Sequence, residues 1–98
     1  MSNYNFVYFN ANTDMDQGVN DGYEYYAIDC SGSNITITLP TITYDGVYYL
    51  FHRIDTSGNT LTLQAQTGQT VRGGASITLG GNRYIQIVSY GSDWLAPL

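Results

Sequence analysis

The chain holds few residues whose side chains do chemistry: a single histidine, His52, and a single cysteine, Cys30. A histidine serves as a general base only when a nucleophile or substrate proton lies within reach. His52 stands mid-strand on the side of Leu50 and Ile54, so the sequence predicts a packed, hydrogen-bonded core histidine. Cys30 sits at a strand end before Ser31-Gly32, with no basic neighbour to favour a thiolate, and reads as a small buried hydrophobe. No catalytic set emerges, and the expectation is a protein that is not an enzyme.

Metal chemistry has one candidate. Asn12, Asp14 and Asp16 alternate like the opening ligands of a calcium loop, because oxygens on every second residue can converge on one ion. Glycine falls at Gly18 rather than one residue earlier, and Tyr23 stands where a bidentate acid belongs. The preferred reading is a solvated loop, with no cofactor and no metal. Gly73-Gly74 and Gly80-Gly81 are followed by neither lysine nor helix, so they read as turns rather than phosphate cradles. Arg53 and Asp55 share a strand face and predict an ion pair. Trp94 follows a tight Gly91-Ser92-Asp93 turn. It could stack on a sugar ring, but the favoured role is to plug one end of the core.

The residues that carry these groups are unusual in charge. Lysine is absent, Arg53, Arg72 and Arg83 are the only strong cations, and the net charge is −5. Three scattered arginines cannot displace the counterions of a nucleic acid, nor hold an anionic membrane surface. Charged residues make up 11% of the chain, against about 25% in an average globular protein. Thr, Asn, Ser and Gln fill the polar positions instead. One cysteine permits no intrachain disulfide, and no apolar run approaches the ~20 residues that span a bilayer. Met1 is followed by no basic and apolar leader, so synthesis in a cytoplasm is expected.

Period-two alternation dominates throughout. Strands are expected at Tyr4 to Phe9, Tyr23 to Asp29, Asn34 to Leu39, Val47 to Asp55, Thr60 to Gln66, Ser76 to Leu79, Arg83 to Tyr90 and Trp94 to Ala96. An acidic loop fills Asn10 to Gly22. Ile35, Ile37 and Leu39 share one face, as do Leu61, Leu63 and Ala65. Asp45-Gly46 is a strong turn dipeptide, and Pro40 suits a strand end or edge. The strands from Val47 and from Thr60 read as a hairpin. The whole reads as all-β, a small antiparallel sandwich or flattened barrel of seven or eight short strands.

Two strands are apolar on both sides. Val47, Tyr49 and Phe51 oppose Tyr48, Leu50 and Ile54, and Ile85 and Ile87 oppose Tyr84, Val88 and Tyr90. A thin sandwich buries only one side of each strand. Something else is therefore expected to cover the other side, and tyrosine is enriched at subunit interfaces. Tyr48, Tyr84, Tyr90 and Val88 are the interface candidates of a self-associating protein. Missing edge lysines fit edges covered by partners.

The order of phrases also resembles a known module. Tyr25-Tyr26-Ala27-Ile28-Asp29 with Ser31-Gly32, then Ile35-Thr36-Ile37-Thr38-Leu39-Pro40, are followed by Tyr48 to Asp55, Asn59 to Gln64, Ala75 to Leu79 and Ile85 to Trp94. This series, from Tyr23 to Ala96, resembles a small β-module of bacteriophage tail-fibre and capsid-fibre proteins and of structural proteins of large DNA viruses. The chain departs from the module at Gly68-Gln69-Thr70-Val71-Arg72-Gly73, where the family usually carries an aspartate after the first glycine.

The resemblance divides the chain into a 1–22 segment, able to dock onto a larger particle or add a strand, and a 23–98 fibre- or spike-like module. It implies a virion component, commonly trimeric, with other virion proteins and a host glycan or receptor as partners. The rival from another class is a monomeric carbohydrate-binding module using Trp94 and exposed tyrosines.

Overall fold

A computed structural model describes residues 6–17 and 25–97. Short runs of β-branched and aromatic residues become strands, bounded by Gly, Asn, Asp and Ser turns. The strands are β1 (Phe6–Phe9), β2 (Thr13–Asp14), β3 (Tyr25–Ile28), β4 (Ile35–Thr38), β5 (Tyr48–Arg53), β6 (Leu61–Gln64), β7 (Thr70–Val71), β8 (Ser76–Leu79), β9 (Tyr84–Tyr90) and β10 (Asp93–Leu95). They form a six-stranded sheet A, in the order β1-β3-β5-β9-β10-β7, and a four-stranded sheet B, in the order β2-β4-β6-β8. The architecture is all-β and sandwich-like, as expected, with no α-helix among the described residues.

The pairing is mixed, where a wholly antiparallel sandwich was expected. Up to β9 the chain alternates between the sheets, one strand in A and the next in B. A chain that leaves a sheet, crosses and returns comes back in the same direction, so β1-β3-β5 and β2-β4-β6 are parallel ladders. Among the described strands, antiparallel ladders enter where β9 adds to β5, β8 to β6 and β10 to β9. The expected hairpin between the strands from Val47 and from Thr60 is therefore corrected, because β5 lies in sheet A and β6 in sheet B.

Arg53 accounts for that crossing. It is on the inward face of β5 and only 3% exposed. Its Nε donates to Asp55 Oδ1 at 3.1 Å, Nη1 to the Leu79 carbonyl at 3.0 Å and Nη2 to the Asn59 carbonyl at 2.6 Å. Asp55 Oδ1 also accepts the Cys30 backbone N–H at 2.8 Å, and Asn59 Nδ2 donates to the Cys30 carbonyl at 2.7 Å. One guanidinium on a sheet A strand thus satisfies carbonyls of the crossing loop and of sheet B. A buried charge must be paired and hydrogen-bonded in this way to be tolerated.

The core lies between the sheets. Ile35, Ile37 and Leu39 face Leu61 and Leu63 within sheet B, all fully buried, on the parity that alternation predicts. Sheet A contributes an aromatic run. Phe9 stacks on Tyr26 with ring centroids 5.7 Å apart, Tyr26 on Phe51 at 5.3 Å, and Tyr49 meets Trp94 at 5.7 Å. Each such side chain contributes on the order of 1.5–3 kcal/mol of burial free energy, with packing geometry adding to it.

The 10–17 region, expected as a solvated loop, supplies β2 and a short 3-10 turn (Met15–Gln17), and Met15 is 1% exposed. Residues 6–17 therefore add strands to both sheets. Tyr4, Asp21 and Tyr23 lie outside the described residues. Pro40 follows β4, an interior strand, so it terminates that strand and guards no edge.

Candidate interface on the outer face of the six-stranded sheet

Along β9 the inward residues Ile85, Ile87 and Ser89 are buried, which turns Tyr84, Gln86, Val88 and Tyr90 outward. The register carries that parity across sheet A. Tyr8, Ala27, His52 and Tyr84 fall in one row across β1, β3, β5 and β9. Tyr48, Val88 and Leu95 fall in another across β5, β9 and β10. The fold thus brings all four interface candidates onto one face. Tyr84 is 70% exposed, Tyr90 65% and Tyr48 42%, while Val88 is half-buried between its neighbours. Sequence reasoning missed Tyr8, Tyr25 and Leu95 on the same face, all exposed. The alternation of Tyr8 with Val7 and Phe9, and of Tyr25 with Tyr26, held the signal.

His52 is not a core residue, which corrects the sequence expectation. It is half-buried on this outer face, and Nδ1 and the Tyr25 hydroxyl share a hydrogen bond of 2.7 Å. Its ring meets the Tyr25 and Tyr84 rings edge-on, at centroid distances of 6.1 and 6.2 Å. At the β1 side, Tyr8 Oη donates to Asp29 Oδ2 at 3.0 Å. Asp29 also accepts the Ser31 backbone N–H. That bond, the Ser31 side chain and the Tyr8 hydroxyl hold its carboxyl below the ordinary value, while the bond to Asp29 raises the Tyr8 phenol. The face is aromatic with hydroxyls at its rim. Such a surface packs against another protein without burying unpaired charge.

The remaining candidates sit elsewhere. Trp94 is 1% exposed. It fills the core between the sheets, so its assignment as a sugar-stacking residue is corrected. Its Nε1 has no hydrogen-bond partner among the described residues. Cys30 is buried in the core as expected, and burial pushes its thiol up. The fold therefore does not bring Cys30 and His52 together in one site. Asn12 Oδ1 accepts the Thr36 N–H at 2.8 Å, and Asp14 Oδ1 accepts the Asp16 N–H and Gln66 Nε2, both at 3.0 Å. Asp16 accepts the N–H and the hydroxyl of Thr41. Each of the three holds β2 and its turn against sheet B. Among the described residues no three His, Cys, Asp or Glu side chains gather in a metal-binding group.

Arg53 and Asp55 form the expected ion pair, but in the interior, where it bears on folding. Arg53, then the Ser57 hydroxyl and the backbone N–H groups of Cys30 and Ser57, hold the Asp55 carboxyl far below the ordinary range against the opposing effect of burial. No helix among the described residues is long and apolar enough to cross a membrane. Comparison with protein-family models, curated proteins and solved structures returns no match to this chain.

Proposed function

We propose that this chain is a non-enzymatic structural component of a virus particle, a fibre, spike or capsid-surface module that associates with copies of itself through the outer face of sheet A. One observation carries the self-association: five exposed tyrosines (Tyr8, Tyr25, Tyr48, Tyr84 and Tyr90) and Leu95 surround half-buried Val88, Leu50 and His52 on a single sheet face. Broad exposed apolar patches on small domains mark interaction surfaces. The β9 segment of the patch carries no charge from Tyr84 to Tyr90, so a second copy of this acidic chain meets little repulsion there. The virion assignment, the threefold symmetry and the contact with other virion proteins and a host glycan or receptor rest on the sequence resemblance. A glycan site on this chain would use the exposed tyrosines, since Trp94 is enclosed.

Native mass measurement tests the reading. The expected result is a multiple of the 10.8 kDa chain mass at micromolar concentration, reduced when Tyr84→Lys places a charge on the patch. A monomer under those conditions, or an unchanged mass in the variant, overturns it.

A further inference from the structure

A second surface lies away from the aromatic face. Strand β8 ends sheet B, with β6 as its hydrogen-bonded neighbour among the described strands. The Ala65 N–H donates to the Ala75 carbonyl at 3.0 Å, and the register continues as Gln64 opposite Ser76, Leu63 opposite Ile77 and Thr62 opposite Thr78. In an antiparallel ladder, pairs that exchange hydrogen bonds alternate with pairs that do not. Ile77 and Leu79 therefore turn their backbone groups to β6, while Ser76 and Thr78 point N–H and C=O at the free edge.

Edges of this kind ordinarily carry lysine, proline or a bulge that blocks pairing. Residues 73–82, Gly-Gly-Ala-Ser-Ile-Thr-Leu-Gly-Gly-Asn, contain no charge and no proline. Ser76 and Thr78 are exposed and Ile77 is 8% exposed towards the core.

We infer that β8 is a strand-pairing edge whose occupant is β8 of a second copy, joined antiparallel about a twofold axis at Ile77. Antiparallel self-pairing brings Ser76 opposite Thr78 of the second copy and the reverse, so every outward backbone group on each strand meets its complement. Both outward residues are used once, and no other register about a dyad satisfies them together. Ile77 meets Ile77 of the second copy on the core side, closing the end of each hydrophobic layer. The self-complementary register of Ser76 and Thr78 selects a copy of this chain as the occupant. Two chains of net charge −5 repel, and this uncharged segment lets their backbones approach at strand spacing, about 4.8 Å. The contact is independent of the aromatic face and adds a twofold link to whatever assembly that face makes.

Thr78→Pro removes an outward N–H while leaving the bonds to β6 in place, and proline is tolerated at an edge in that orientation. Ser76→Lys provides a second variant that alters only an exposed side chain. In native mass measurements, both are expected to halve the assembly mass of the unaltered chain, whereas Tyr84→Lys leaves the β8-linked pair intact. A mixture of Ser76→Cys and Thr78→Cys chains is expected to form an interchain disulfide under mild oxidation faster than either variant alone. Unchanged mass in folded Thr78→Pro and Ser76→Lys, or equal cross-linking in the mixture and the single variants, overturns the pairing. A β8 result of either sign leaves the outer-face reading to its own variant.

Discussion

The two faces of sheet A are built from the same residue types on the same strands, yet they behave differently. On the inner face Phe9, Tyr26, Phe51 and Trp94 stack into a closed layer under sheet B, with Tyr49 against Trp94. On the outer face Tyr8, Tyr48, Tyr84 and Tyr90 meet no second layer within the described chain. Neighbours on β5 show the same contrast. Arg53 points inward and is bound by Asp55 and by carbonyls of sheet B and of the loop that leads to it, while His52 points outward and shares one hydrogen bond with Tyr25. What separates a core from an interface here is the presence of a covering layer, not the chemistry of the side chains. Aromatic content alone is therefore a poor guide to which surface stabilises the monomer.

The largest effect is expected on the inner face. Phe51→Ala removes the ring at the centre of the stack and leaves a cavity, costing about 3–5 kcal/mol, measured by denaturant unfolding. A loss below about 1 kcal/mol would mean that the inner layer is loosely packed and would erase the contrast.

Acid comes next. The folded-state carboxyl of Asp55 lies below its unfolded value, so the stability it contributes is present above the unfolded pKa, about 3.9. It is lost as pH falls from there towards the folded value. Thermal melts between pH 5 and 2 are expected to fall steeply in the unaltered chain and less steeply in Asp55→Asn, which starts lower. Parallel slopes in the two would remove the buried pair from the account.

The smallest change is expected on the outer face. Tyr84→Ala should alter unfolding free energy by within about 0.5 kcal/mol at concentrations where the chain is monomeric, while weakening association. A destabilisation comparable to that of Phe51→Ala would assign Tyr84 to the monomer's own packing and withdraw it from the interface.

Much of this was legible residue by residue. Ile35-Thr36-Ile37-Thr38-Leu39, Leu61-Thr62-Leu63 and Ile85-Gln86-Ile87 each announce which side chains are buried, because successive residues of a strand point to opposite faces. The turn at Asp45-Gly46 was equally readable, and Gly46 has a φ of 86° that favours glycine. The 10–17 region was misread because two paired residues and one buried methionine leave no periodic trace. The face of His52 was read correctly, as that of Leu50 and Ile54, but that face was taken for the core. Alternation divides a strand into two sides without saying which one meets the other sheet.

Sequence by itself determined where eight of the ten described strands lie (though not the two-residue β2 and β7), which residues share a side, and that the chain is nearly free of positive charge. These properties follow from local backbone geometry and composition. Tertiary structure alone decided that β5 leads across to the other sheet rather than back along its own. It also decided that Arg53 and Trp94 are enclosed, and that the tyrosines of β1, β3, β5 and β9 gather on one face. Such outcomes depend on contacts between residues far apart in the chain. Gly81 shows how close those contacts come, since a Cβ there would lie 3.1 Å from the Asp55 carbonyl oxygen, and Asn82 N–H donates to that same oxygen at 2.9 Å. Strand pairing of this kind is a property of the whole packed chain, because each strand's alternation is compatible with several neighbours and only the joint burial of both sheets selects among them.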